Sequence, residues 1–131
     1  MSGSWQFDDS NSDRITSNTT EYVSGTGSVK RRGYGSGAVA MCFYNDFSPT
    51  KQVQNIQFWV YNPSASDITL RMFYYTAAKL ATNGETGSVT AKANQWTYVA
   101  MGFGTRTIYN FQIADFNNTG VYLSFDNIAL F

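Results

Sequence analysis

Apolar and polar residues alternate along most of this chain, and turn residues interrupt the alternation at short intervals. The clearest case is the run "IQFWVYNPS", where Ile56, Phe58 and Val60 alternate with one amide and two aromatic residues before Asn-Pro ends the pattern. A period of two residues is typical of a β-strand that buries one face. This run therefore predicts a strand with aliphatic residues inside and aromatic residues outside.

The same reading of the whole chain predicts an all-β protein. Glycine, proline, Asn and Asp cluster at 33–37, 62–67 and 82–87, where turns are expected. With no helical crossovers, the pattern indicates a two-sheet antiparallel β-sandwich of the jelly-roll type. The 131 residues suit a single domain over 1–131. The predicted strands are 4–8, 15–23, 27–32, 37–44, 53–61, 67–76, 87–93, 96–103, 108–115 and 120–131.

One face of each predicted strand completes the core, and the other carries an unusual mixture of aromatic and polar residues. Planar rings can stack on the apolar C–H faces of a sugar, while amide, guanidinium and hydroxyl groups can bind its hydroxyls. The outward set therefore predicts a polysaccharide-binding surface. Its members are Gln57, Trp59, Tyr61, Arg71, Phe73, Tyr75, Asn110, Gln112, Tyr122 and Ser124. The inward set of the same strands includes Ile68, Leu70, Met72 and Tyr74.

The sequence alone is also compatible with other interpretations of the aromatic residues. Aromatic residues favour strands in any case, a loop such as 77–86 can cover an outer face, and a one-residue register slip reverses every assignment. Trp5 and Trp96 each open a predicted strand beside a turn, and we interpret them as core or edge packing.

The charge balance indicates a neutral ligand. Nine basic and nine acidic residues cancel, and charged residues make up only 14% of the chain. Nucleic-acid binding draws on a net basic field, so we expect no nucleic-acid partner. The cluster at Lys30, Arg31 and Arg32 could bind an acidic glycan, but a solvated strand end is the better interpretation.

The chain lacks the residues that several kinds of catalytic or metal-binding chemistry require. The chain has no histidine, and Cys42 is its only cysteine, which excludes His-based acid–base catalysis, a Cys/His zinc site and an intrachain disulfide. Cys42 lies in an apolar run and is interpreted as a small core residue. The N-terminus has no signal-peptide pattern, and no apolar run is long enough to span a membrane.

Four segments together resemble a known group of proteins. The runs "IQFWVYNPS", "QWTYVAMGF", "FQIADF" and "LSFDNIALF" are similar to the jelly-roll carbohydrate-binding modules of secreted bacterial glycoside hydrolases. The resemblance implies a monomeric, non-catalytic module that binds a neutral β-glucan, mannan or xylan. It also implies a catalytic domain in the same parent chain and an extracellular location. Because no apolar run is long enough to span a membrane, we expect no membrane partner.

The same resemblance implies a structural calcium ion where the chain ends meet. Asp126 in "FDNI" and either Asp8 or Asp9 in "WQFDD" match the ligand positions, with carbonyl oxygens completing the shell.

The sequence leaves two alternatives to glycan binding. A glycosidase needs two carboxylates across one cleft, and only Asp115 ends a candidate binding strand. The first alternative is thus an enzyme, and it could also be a polysaccharide lyase that acts through Tyr and Arg. An adhesive sandwich whose outward aromatic residues meet another protein remains open, because sequence does not separate it from glycan binding.

Overall fold

A computed structural model describes residues 15–18, 28–31, 40–76, 83–115, 117 and 119–131. These residues form seven antiparallel β-strands. No helix in this part of the chain is long and apolar enough to cross a membrane. The strands are β1 (Ile15–Asn18), β2 (Ser28–Arg31), β3 (Ala40–Asn62), β4 (Ile68–Tyr75), β5 (Asn83–Ala91), β6 (Gln95–Asp115) and β7 (Leu123–Leu130).

Two long strands join two sheets. The second part of β3 and the first part of β6 pair with each other and, through β7, with β2 and β1, which defines the first sheet. The first part of β3 pairs with the last part of β6, which pairs with β4, and β4 pairs with β5, which defines the second sheet. The antiparallel β-sandwich prediction is confirmed.

The long strands replace two pairs of predicted strands. The sequence predicts separate strands at 37–44 and 53–61, and at 96–103 and 108–115, whereas β3 and β6 run through both regions. Pro49 lies where the β3–β6 register shifts between Asp46 and Lys51. Proline has no N–H to give a ladder, so it is tolerated at such an irregularity. The interruption of the apolar–polar alternation around Pro49 therefore marks a register shift inside β3, not the end of a strand.

The other predicted strand and turn boundaries differ less from those of the structure. The predicted turn at 82–87 is wrong in part, because β5 begins at Asn83 and pairs with β4 up to Tyr75. The predicted strand at 4–8 and the predicted turn at 33–37 lie outside the described residues, as does Trp5.

Residues from both sheets meet in one buried cluster. Ile56, Phe58 and Val60 of β3 are at most 1% exposed, which confirms the inward face predicted for this run. The Phe58 and Phe125 rings lie 5.9 Å apart within the cluster. Burying such a side chain contributes about 1.5–3 kcal/mol. The second sheet adds Ile68, Leu70, Met72, Phe111 and Ile113 to the same cluster.

Asn62 fixes the turn between β3 and β4 from inside the protein. Its side chain is fully buried, and its Nδ2 donates to the Ser66 carbonyl at 2.8 Å and to the Ala91 carbonyl at 2.9 Å. Its Oδ1 accepts hydrogen bonds from the Ser64 N–H at 2.9 Å and the Ser64 hydroxyl at 2.7 Å. Both donors and the acceptor of the amide are therefore satisfied.

The exposed end of the same turn is held by a carboxylate. Asp67 accepts a hydrogen bond from the Ala93 N–H at 2.9 Å and from Lys92 Nζ at 3.2 Å. The Ala93 N–H, and then the Lys92 ammonium, hold the pKa of Asp67 below its usual value of 3.8.

This contact predicts a small, pH-dependent contribution to stability. A carboxyl whose pKa is lower in the folded state stabilises the fold above its unfolded pKa, and that contribution is lost as pH falls through the folded pKa. We therefore expect Asp67→Asn to lower the melting temperature slightly at pH 7, because exposed ion pairs are weak. The difference from the wild type should disappear in melting curves recorded at a pH below the lowered pKa of Asp67 in the folded state. A difference that grows as the pH falls would contradict this assignment.

Candidate functional site

The outer side of the first sheet carries four aromatic side chains on two adjacent strands. The register pairs Trp59 of β3 with Tyr98 of β6, and Tyr61 with Trp96, so each pair points to the same side of the sheet. The ring centroids lie 5.1 Å apart in the Trp59–Tyr98 pair and 5.5 Å apart in the Tyr61–Trp96 pair. We call this surface the aromatic face, and its two pairs the Trp59 row and the Tyr61 row.

The aromatic face is open to solvent within the described part of the chain. Tyr98 is 50% exposed, and Trp59, Tyr61 and Trp96 are half-buried. None of them belongs to the buried cluster, which uses the alternate residues of the same strands. Surface rings grouped in this way, rather than scattered singly, are typical of an interaction site.

Polar groups flank the Trp59 row. The Tyr98 hydroxyl donates a hydrogen bond to Gln57 Oε1 at 3.0 Å, which orients the Gln57 amide beside the ring. On the other side of β3, Asp126 of β7 stands in register with Trp59. Its Oδ1 accepts a hydrogen bond from the Asn127 N–H at 2.8 Å. Rings, an amide and a carboxylate therefore share one surface.

The structure divides the predicted ligand set between two opposite faces. Gln57, Trp59 and Tyr61 lie on the aromatic face, as described. Arg71 and Phe73 of β4 lie on the outer side of the second sheet, where the Arg71 guanidinium sits 5.2 Å from the centroid of the Phe73 ring. A sandwich places the outer sides of its two sheets on opposite surfaces, so one glycan chain cannot contact both sets in a single groove.

The other predicted residues take varied positions. The backbone register pairs Asn110 and Gln112 of β6 with Tyr75 and Phe73 of β4. Tyr122 is half-buried and precedes β7 by one residue.

Two of the outward assignments are wrong with respect to exposure. Tyr75 is only 8% exposed, because it stands on an interior strand between Asn83 of β5 and Asn110 of β6. Ser124 is 1% exposed, in a register position between Tyr61 of β3 and Lys30 of β2. Side chains on the flanking strands can cover an outward residue, and a periodic pattern within one segment does not identify those neighbours.

The sequence interpretation of Trp96 also needs correction. The sequence predicts core or edge packing for Trp96, whereas its ring lies on the aromatic face against Tyr61. The outward set predicted from the sequence does not include Tyr98. The alternation in "WTYVAMGF" contains the missing signal, because the buried Val99 places Trp96 and Tyr98 on the opposite side of the strand.

Asp115 is not positioned for catalysis. It is fully buried, and its Oδ2 accepts hydrogen bonds from the Thr119 N–H at 2.9 Å and the Thr119 hydroxyl at 2.6 Å. A general acid or base must reach the proton that it transfers, and this carboxylate faces the interior. Asp115 therefore stabilises the connection that leaves β6.

Only one of the predicted calcium ligands is described. Asp8 and Asp9 lie outside the described residues, and Asp126 stands on the aromatic face beside Trp59. The described residues contain no group of three His, Cys, Asp or Glu side chains that would hold a metal ion. On their own, these residues do not fit a calcium shell.

Calcium binding stays a prediction that melting curves test. An ion bound only by the folded state raises stability by mass action, so a chelator should lower the melting temperature and added calcium should restore it. Because Asp126 adjoins Trp59, loss of an ion at Asp126 should also change glycan affinity. Superimposable melting curves with and without chelator would remove calcium from the description of this protein.

The fold is similar to that of known carbohydrate-binding modules. The CBM22-2 xylan-binding domain of Xyn10C from Paenibacillus barcinonensis matches with a TM-score of 0.67 and 11% identity, over 99% of this chain and 92% of that one. A CBM29-2 variant complexed with mannohexaose matches with a TM-score of 0.61 and 9% identity, over 88% of this chain and 74% of that one.

A third similar structure combines such a module with an enzyme. The CBM22-1-GH10 modules of xylanase Xyn10B from Clostridium thermocellum, complexed with xylohexaose, match with a TM-score of 0.62 and 12% identity. The match covers 88% of this chain but only 24% of that chain. In sequence, no family model and no curated protein matches this chain. The similarity is therefore one of fold.

Proposed function

We propose that this protein is a non-catalytic carbohydrate-binding module that binds a neutral polysaccharide on its aromatic face. The observation that carries the proposal is the open pair of aromatic rows beside Gln57 and Asp126. Rings supply stacking surfaces for pyranose C–H faces, and the amide and carboxylate supply partners for hydroxyl groups. The similar folds include a xylan-binding domain and a module complexed with mannohexaose, which are consistent with a ligand of this class.

Native affinity electrophoresis tests this function directly. The protein is run through gels that contain xylan, mixed-linkage β-glucan, glucomannan or no polysaccharide. We expect retardation by at least one neutral glycan, with a dissociation constant in the micromolar to millimolar range, about −4 to −8 kcal/mol. Unchanged mobility in every gel, supported by a flat calorimetric titration with the matching hexasaccharides, would overturn the proposal.

The absence of net charge predicts that binding will tolerate salt. Interactions between exposed charges weaken as the screening length shortens, whereas stacking and hydroxyl hydrogen bonds respond little. We expect the affinity for a neutral glycan to change less than about twofold between 0.01 and 1 M salt, where screening length falls about tenfold. Titration calorimetry at the two salt concentrations measures this. Binding restricted to pectin or alginate and lost at high salt would move the ligand to Lys30, Arg31 and Arg32.

We also propose that the module acts outside the cell, tethered to a catalytic domain that degrades plant cell walls. The xylanase whose CBM22-1 module shares this fold is the supporting precedent. Tethering raises the effective concentration of an enzyme at its substrate without any new catalytic contact. Fusion of this chain to a xylanase domain should therefore raise activity on an insoluble glycan that the module binds. Activity on a soluble oligosaccharide should stay unchanged.

A further inference from the structure

The two aromatic rows meet different surroundings on β7. The Tyr61 row leads across β3 to Ser124, which is 1% exposed and presents no surface to a ligand. The Trp59 row leads to Asp126, which is partly exposed. Only the Trp59 row therefore continues across the sheet as an accessible surface.

A depression lies beside Asp126. Its volume is about 320 Å³, and Gln57, Asp126, Asn127, Ile128 and Ala129 line it. The β3–β7 register shifts between Gln57 and Trp59, and Asn127 has a left-handed φ of 52° at this irregularity. A bulge of this kind re-aims side chains. Here it places a carboxylate and two amides around one small concavity.

We propose that the glycan chain crosses the strands along the Trp59 row and places one sugar unit in this depression. Asp126 and Gln57 then bind the hydroxyls of that unit. This inference rests on the proposed function and adds a chain direction and a specificity-determining carboxylate. The Tyr98 and Trp59 ring centroids are 5.1 Å apart. Asp126 stands on the next strand, and adjacent strands are separated by about 4.8 Å. The step from Tyr98 to Trp59 and the step from Trp59 to Asp126 therefore both match the spacing of successive units in an extended β-linked chain.

The chemistry of the depression favours a neutral sugar with unmodified hydroxyls. A carboxylate only accepts hydrogen bonds, so Asp126 selects hydroxyl groups that donate to it. Because Gln57 Oε1 accepts from Tyr98, the same amide has N–H donors to offer the hydroxyl oxygens. A uronate in this position would place a second negative charge beside Asp126, and an O-acetyl group would remove the donor.

Asp126→Asn tests the carboxylate, with Asp67→Asn as the matched control at an exposed carboxylate of the β3–β4 turn. The asparagine oxygen can still accept from the Asn127 N–H, so the bulge is retained. We expect Asp126→Asn to bind the preferred neutral glycan about tenfold more weakly, which corresponds to about 1.4 kcal/mol. Its discrimination against a uronate-containing glycan should decrease in parallel. Asp67→Asn should bind as the wild type does.

Nuclear magnetic resonance tests the chain direction in the wild type. Titration with the hexasaccharide should shift the backbone amide signals of Tyr98, Trp59, Asp126 and Asn127, and should leave the Trp96 indole signal nearly unchanged. Equal shifts of the Trp59 and Trp96 indole signals, without Asn127, would show a chain that runs along the strands and would overturn the proposal.

The remaining outcomes separate this inference from the proposed function. Wild-type binding with an unaffected Asp126→Asn variant would refute the role of Asp126 and leave glycan binding intact. Binding that chelator and Asp126→Asn abolish alike would show that Asp126 acts through a metal ion, which also refutes direct contact. Failure of the wild type to bind any glycan would instead refute the proposed function. Preserved Asp126→Asn melting curves exclude misfolding as the cause of a loss.

Discussion

Replacing Trp59 with alanine should weaken glycan binding by at least about tenfold, or about 1.4 kcal/mol, while the protein remains folded. The ring is half-buried on the aromatic face and lies outside the buried cluster. Its loss removes a stacking surface for the ligand, together with a contact to Tyr98 worth about 0.5–1.5 kcal/mol. We therefore expect only a few degrees of change in melting temperature. Affinity electrophoresis and thermal denaturation of the same preparation measure the two effects.

Phe73→Ala is the matched control for Trp59→Ala. It removes a half-buried aromatic ring from the opposite outer surface, where Arg71 covers it. We expect binding to persist in this variant. Loss of binding in Phe73→Ala with retention in Trp59→Ala would move the ligand to the second sheet. A large decrease in melting temperature with full binding in Trp59→Ala would assign that ring a structural role instead.

Replacing Asn62 with alanine should destabilise the protein more than Trp59→Ala or Phe73→Ala does. The substitution removes four hydrogen bonds at a fully buried position and leaves the Ala91 carbonyl without its side-chain donor. Leaving buried polar groups unsatisfied costs about 1–3 kcal/mol each. We expect a loss of about 2–4 kcal/mol in the free energy of unfolding, measured by urea denaturation.

Two further variants separate the hydrogen bonds of Asn62. Ser64→Ala removes one hydroxyl and keeps the backbone N–H bond to Asn62 Oδ1, so its effect should be smaller than that of Asn62→Ala. Asn62→Asp keeps the shape but removes the Nδ2 donors and turns an anion toward two carbonyl oxygens. It should be at least as destabilising as alanine at pH 7. A stability of Asn62→Ala equal to the wild type would show that the network is dispensable.

The sequence was sufficient to predict the fold class because the two-residue period survives in the buried strands. Ile56, Phe58 and Val60 lie inside, as do Ile68, Leu70 and Met72, all as predicted. Where strands begin and end was harder to predict. Turn-like residues around Pro49 and Gly104 fall inside β3 and β6, because tertiary pairing carries both strands through local irregularities.

The candidate site was predictable only in part. Alternation identified Trp59 and Tyr61, but not the partner strand that brings Trp96 and Tyr98 beside them. Strand order depends on contacts distant in sequence, and a periodic pattern within one segment contains no information about its neighbours. The exposure of Tyr75 was mispredicted for the same reason. Trp59 and Phe73 lie on opposite surfaces because their segments belong to different sheets.

The sharing of β3 and β6 between both sheets has a mechanical consequence. In a sandwich whose sheets have no common strand, one layer can detach while the other keeps its hydrogen bonds. Here, extraction of β3 breaks the ladder to β7 in one sheet and the ladder to β6 in both. Tension applied between a bound glycan and a tethered enzyme would therefore load both layers together. Under such tension the protein should rupture in one force-extension step instead of peeling layer by layer.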